Sequence, residues 1–185
     1  MKTEKKGKIY ISIFGMLLFA VTNIFKQQFA GFLFNPLKFQ NPNVLFALVQ
    51  IFIVSILFCV GNWSITTLLD GEGKFRDIVM VFGYSCYSIA IIQIPLTIVT
   101  NICSYSELPL IQVISGLSMI WFFEVLFFGI MTIHQYSVFK MLATTLLTIV
   151  AMMVLAFIYL LFFNFISQFV LLFISIYKEL SFRLF

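Results

Sequence analysis

From Val138 to Tyr177 the chain runs for forty residues without a Gly or a Pro, almost all of them apolar. An α-helix satisfies its own backbone groups, so an unbroken apolar run of this length reads as helix inside hydrocarbon. At about 1.5 Å per residue it would extend roughly 60 Å, about twice a bilayer core of about 30 Å. A soluble fold cannot hide this run, because 62% of the chain is hydrophobic and only 10% is charged; soluble domains carry about 25% charged residues. The segment is therefore expected to fold back near Asn164 into spans over 138–162 and 165–178, the second crossing the membrane or lying in its interface.

Four further runs have span length. They cover 9–25, 44–69, 78–102 and 110–133, giving an all-α polytopic transmembrane helical bundle of six spans within one domain, 1–185. The alternative is five spans plus an interfacial C-terminal helix. The first run follows Lys2, Lys5, Lys6 and Lys8, but no small-x-small cleavage site follows it, so it reads as a retained span. Cytoplasmic segments collect Lys and Arg. With six spans and both termini inside, Lys2, Lys5, Lys6, Lys8, Lys74, Arg76, Lys140, Lys178 and Arg183 are cytoplasmic, and only Lys26 and Lys38 are outside. A five-span chain moves Lys178 and Arg183 outward and weakens the bias without reversing it.

Net charge is +4. No basic stripe with interleaved aromatics lies outside the apolar runs, so the charge reports topology and not nucleic acid. The outer loop after the first span carries two Asn-Pro pairs, Asn35-Pro36 and Asn41-Pro42, and is expected to be turn-rich. Cys59, Cys86 and Cys103 lack Cys-x-x-Cys spacing and read as inert thiols, with no metal or cofactor site implied.

Five of the charged side chains fall together at Asp70, Glu72, Lys74, Arg76 and Asp77. Gly71 and Gly73 favour a tight connection, because Gly accepts φ > 0. The segment is a docking loop or a plain solvated turn. Its opening resembles the start of the CDP-alcohol phosphatidyltransferase motif, with Arg76 in the Arg place. That motif needs two further Asp at helical spacing, where Tyr87 and Ile91 stand. No Asp follows Asp77, so a two-metal carboxylate site cannot be assembled and no catalytic residue is assigned.

Glu124 is the one carboxylate expected well inside a span, at a cost of at least about 2–3 kcal/mol on insertion scales. It reads either as a proton or counter-charge site, or as a group hydrogen-bonded across helices through Ser115 or Ser118. With Gln93, Asn101 and Gln50 it would form the polar lining of a small-solute or ion transporter, if these groups shared one cavity. His134 and Tyr136 belong to the next inner turn, ahead of Lys140; His134 could titrate near neutral pH, but with no nucleophile or zinc motif beside it, it reads as a loop hydrogen-bonding group. Lys178, Glu179 and Arg183 form a C-terminal anchor. Asn62-Trp63-Ser64 matches a glycosylation acceptor but lies in or beside a span that exits inward, so it is discounted.

The ordered set Asn62-Trp63, Thr67, Asp70-Gly71, Gly73-Lys74, Tyr84, Pro95, Glu107, Trp121, His134, Tyr136-Ser137, Tyr177, Glu179 and Arg183, with Gly31-Phe-Leu-Phe-Asn35 ahead of it, resembles the bacterial branch of the Yip1 domain family over roughly residues 29–183. The resemblance implies a polytopic helical membrane protein without assigned chemistry. Some bacterial relatives are encoded beside carbohydrate ABC transporter components, which implies an accessory membrane role. The resulting expectation is a non-enzymatic scaffold or accessory subunit of a bacterial cytoplasmic membrane. Its partners would be the lipid bilayer and other membrane proteins, a second copy of itself or ABC transporter components. Its interaction surface would comprise the Asp70–Asp77 charges, His134, Tyr136, Lys178, Glu179 and Arg183.

Overall fold

The computed structural model describes residues 7–31, 34 and 44–184. Five helices carry the fold: α1 (Ile9–Phe29), α2 (Val44–Leu68), α3 (Phe75–Val99), α4 (Leu108–His134) and α5 (Val138–Leu184). All five are long and apolar enough to cross a membrane. Their ends agree with the hydropathy runs to within a few residues for α1 to α4. Most of the expected outer loop, with Lys38 and both Asn-Pro pairs, lies outside the described residues.

Helix α3 is the central element. It meets α1 along a seam of small residues, where a Cβ on Gly15 would strike the carbonyl oxygen of Gly83, and one on Gly83 would strike Ser12. Lipid tails are as apolar as Leu, so helices in a membrane gain little from burying hydrocarbon against each other. Close backbone approach and interhelical hydrogen bonds hold them instead. Accordingly, Ser12 Oγ donates to the Val79 carbonyl at 2.7 Å, and Tyr87 Oη donates to the Ile11 carbonyl at 2.8 Å. At the far end of the pair the Gly31 N–H donates to Thr100 Oγ1 at 2.9 Å.

On its other side α3 meets α4, with Gly129 accommodating Val81. The shared core contains Met16, Ile78, Phe82, Phe122, Leu126 and Ile130. Phe82 and Phe122 meet edge to face at 5.9 Å between centroids, an arrangement favoured by the ring quadrupoles. Cys59 and Cys86 are free, buried thiols, and Cys103 is free and half-buried.

The turn expected near Asn164 does not form. Helix α5 is unbroken over 47 residues, about 70 Å at the helical rise. Asn164 Nδ2 donates to the Leu160 carbonyl at 3.0 Å and Ser167 Oγ to the Phe163 carbonyl at 2.9 Å. Asn164, where the break is expected, and Ser167 beyond it are both satisfied one turn back on their own helix, and no Gly or Pro interrupts the ladder. Helix α5 packs antiparallel to α2 through its first half, where Met141, Thr144 and Thr148 are buried. From Phe157 to Glu179 every side chain except that of Ser167 is exposed.

Candidate functional site

The charged loop is built on two helix ends that face each other. Helix α2 closes with Asp70 in the left-handed region (φ 53°), and the Gly71 N–H donates to the Thr66 carbonyl at 2.8 Å. Helix α4 closes the same way, with Gln135 at φ 52° and the Tyr136 N–H donating to the Met131 carbonyl at 3.1 Å. Both are Schellman closures, which satisfy carbonyls that a helix end otherwise leaves open. Asp and Gln occupy the left-handed position where Gly is usual, so each turn carries about 1 kcal/mol or more of backbone strain that tertiary contacts must offset.

Those contacts come from His134 and Tyr136. The Gly73 N–H donates to His134 Nδ1 at 3.2 Å. Accepting at Nδ1 leaves the ring neutral with its proton on Nε2. His134 is only 2% exposed, and its Nε2 has no partner among the described residues. Tyr136 Oη lies 3.3 Å from the Thr66 carbonyl and 3.2 Å from the Leu69 carbonyl, and caps the end of α2. Burial, with Asp70 nearby, pushes its phenol above the ordinary value and keeps it a donor. The two rings stack at 5.3 Å, and Lys140 Nζ sits 4.3 Å above the Tyr136 ring. Gly71 and Gly73 lie directly on this stack. A Cβ on Gly71 would strike His134 Nδ1, and one on Gly73 would come within 2.8 Å of His134 Cε1. The glycines are required by contact and not by a left-handed backbone: the positive φ expected of them falls on Asp70 instead.

His134 and Tyr136 are therefore buried supports and not exposed docking residues. Asp70, Glu72, Lys74 and Arg76 are exposed above them. Asp77 is half-buried, and its Oδ2 accepts the Lys74 N–H at 3.1 Å, starting α3. Glu72, Lys74, Arg76 and Asp77 border a recess of about 770 Å³ completed by Tyr84 and Gln135. The tail does not join this group. Lys178 and Glu179 lie forty residues along an unbroken α5, about 60 Å from its start. Arg183 belongs to the same helix, and its side chain lies outside the described residues.

The intramembrane polar groups are also separate. Gln93 is buried, and its Nε2 donates to Ser115 Oγ at 2.7 Å and to Ser118 Oγ at 2.9 Å. Both serines considered as partners for Glu124 thus serve Gln93. Glu124 is exposed and lines an open groove with Val81, Trp121 and Phe128. Gln50 is exposed on α2, and Asn101 Nδ2 donates to the Phe29 carbonyl at 2.8 Å. These four residues share no common cavity among the described residues. Thr66 and Lys140 take part in the loop support, and nothing local to either marks that role. Asn62, at the formal glycosylation acceptor, is 1% exposed inside α2.

Five long apolar helices, joined by interhelical hydrogen bonds and closed by polar turns, define a polytopic α-helical integral membrane protein. The Yip1 domain pattern matches residues 8–161, which includes all of the loop and its supports. The chain belongs to the Yip1 domain family. No curated protein and no solved structure matches it.

Proposed function

We propose that this protein is a non-enzymatic membrane scaffold or accessory subunit that binds other proteins through the face carrying Asp70–Arg76. The supporting observation is the loop's construction. Two Schellman closures, a His134–Tyr136 stack and three long-range hydrogen bonds hold a short turn that a plain connection would leave loose. A prearranged set of both signs around a recess suits selection of partners by electrostatic complementarity.

This face is cytoplasmic in our reading. Lys8, Lys74, Arg76 and Lys140 lie at the same end of the bundle, and Lys26 lies at the other, in agreement with the positive-inside bias. The N-terminus is then cytoplasmic too. Both termini inside needs the turn near Asn164; with α5 unbroken, our reading puts the C-terminus on the opposite side. The bacterial branch of the family suggests a bacterial cytoplasmic membrane, with ABC transporter components as candidate partners. Transport by this chain draws less support, because Gln93 is committed to Ser115 and Ser118 while Glu124 faces a different groove.

The test is crosslinking and gentle-detergent copurification of wild type beside a Lys74→Glu/Arg76→Glu variant, read by mass spectrometry. A partner retained by wild type and lost by the variant is expected. Recovery of the same proteins, or of monomer alone, from both would remove the reading.

A further inference from the structure

A second buried polar atom lacks a partner among the described residues, and it lies on the apolar helix α2. Asn62 Nδ2 donates to Thr148 Oγ1 at 3.2 Å, and Thr148 Oγ1 donates its single proton to the Thr144 carbonyl at 2.8 Å. Thr148 can therefore only accept from Asn62, which fixes the orientation of the amide. Asn62 Oδ1 is left buried without a partner among the described residues.

Asn62 borders a cavity of about 460 Å³ between the α2–α5 pair and α4, within the usual range of small-ligand sites (about 300–1,000 Å³). Its walls are chiefly aromatic and aliphatic, among them Phe58, Phe82, Phe122 and Phe127. The other hydroxyls there are spent on their own helix, Thr145 on the Met141 carbonyl and Thr148 as above. At its lipid-facing side Val54, Met119, Phe123 and Ile149 are exposed, so the cavity opens sideways into the bilayer.

Water is a poor occupant, since a buried water makes about three hydrogen bonds and only the Asn62 amide is available here. A charged headgroup is excluded too, because no ionisable side chain lines the cavity. An apolar chain ending in a neutral hydroxyl satisfies both the walls and the acceptor. Asn62 stands six residues before the end of α2, about 9 Å inward along the axis, a depth that suits an uncharged head. We propose that this cavity binds a single-chain lipid alcohol, entering from the bilayer, whose hydroxyl donates to Asn62 Oδ1. The site is independent of the loop-docking reading.

The test uses radiolabelled oleyl alcohol bound to the purified full-length protein in detergent, displaced by unlabelled oleyl alcohol or by oleyl methyl ether, which lacks the donor. In wild type the alcohol should displace about tenfold more effectively than the ether, the scale expected for one buried hydrogen bond. In Asn62→Leu, which keeps the branched shape and removes the acceptor, the two should be equal. Ile149→Trp, which adds bulk at the exposed mouth, should lose the label. Equal displacement by alcohol and ether in wild type would overturn the proposal. So would discrimination that persists in Asn62→Leu, or binding untouched by Ile149→Trp. If Asn62→Leu fails to fold, the wild-type comparison decides alone.

Discussion

His134 Nδ1 accepts the backbone N–H of Gly73 across 61 positions of sequence, and this bond ties the charged loop to the end of α4. The same ring forms the surface against which Gly71 and Gly73 are packed. The loop's shape is thus held from a neighbouring helix end as well as by the caps of α2 and α3 that flank it.

Replacing that ring should loosen the loop before it unfolds the bundle. His134→Ala leaves the Gly73 N–H without its partner, a loss of about 1–3 kcal/mol. Gly73→Ala attacks the same contact from the other side by placing a Cβ against His134. Both variants should be cut faster by trypsin after Lys74 and Arg76 in inside-out vesicles, with a lower thermal midpoint. Because they remove one shared contact, the double variant should cost less than the two single losses combined. Strict additivity would show that His134 and Gly73 do not support one another.

The α1–α3 seam should tolerate no added carbon. Gly83→Ala drives a Cβ into Ser12 where backbone faces backbone, so the helices must separate. Overpacking of this kind costs about 1–3 kcal/mol or more. Gly116→Ala is the control, because nothing lies within 4 Å of its added Cβ. Thermal unfolding in detergent should show a large loss for Gly83→Ala and none for Gly116→Ala; similar midpoints would disprove the close packing.

Gln93 is a fastener between α3 and α4. Gln93→Leu should cost about 1 kcal/mol, since interhelical hydrogen bonds in membranes average about 0.6 kcal/mol each. Its partners Ser115 and Ser118 sit on α4, and Ser115→Ala combined with Gln93→Leu should add little. A Gln93 variant that leaves the unfolding midpoint unchanged would return this residue to consideration as part of a polar pathway.

The unbroken α5 makes a topological prediction. In a Cys103→Ser background, with Cys59 and Cys86 buried, Glu179→Cys should react with an impermeant maleimide added outside intact cells, and Lys74→Cys only after the membrane is opened. Labelling of both from the same side would require α5 to turn back, as the sequence reading expected near Asn164.

Hydropathy and helix rise alone set the class of this molecule, its apolar runs and the ends of α1 to α4, because the cost of burying or exposing each residue in hydrocarbon is a local property. The charged loop was visible for the same reason; Gly71 and Gly73 pointed to a tight turn, but Asp70 takes its left-handed position and the glycines serve close contact with His134. The two halves of α5 could not be told apart from one helix, since Asn164 suits a turn or a back-bonded helix equally and composition does not choose between them. What only the packed structure decided is which residues meet. His134 reads from sequence as a loop hydrogen-bonding residue, and it is one; that its partner is Gly73, and that the pairing of two helix ends buries it with Tyr136 beneath the loop, came only from the packing. Gln93 and Glu124 looked like candidates for one site, but helix rotation turns one toward Ser115 and Ser118 and the other outward. Contacts of this kind depend on how each helix is rotated and which neighbour it faces, and those are properties of the whole bundle.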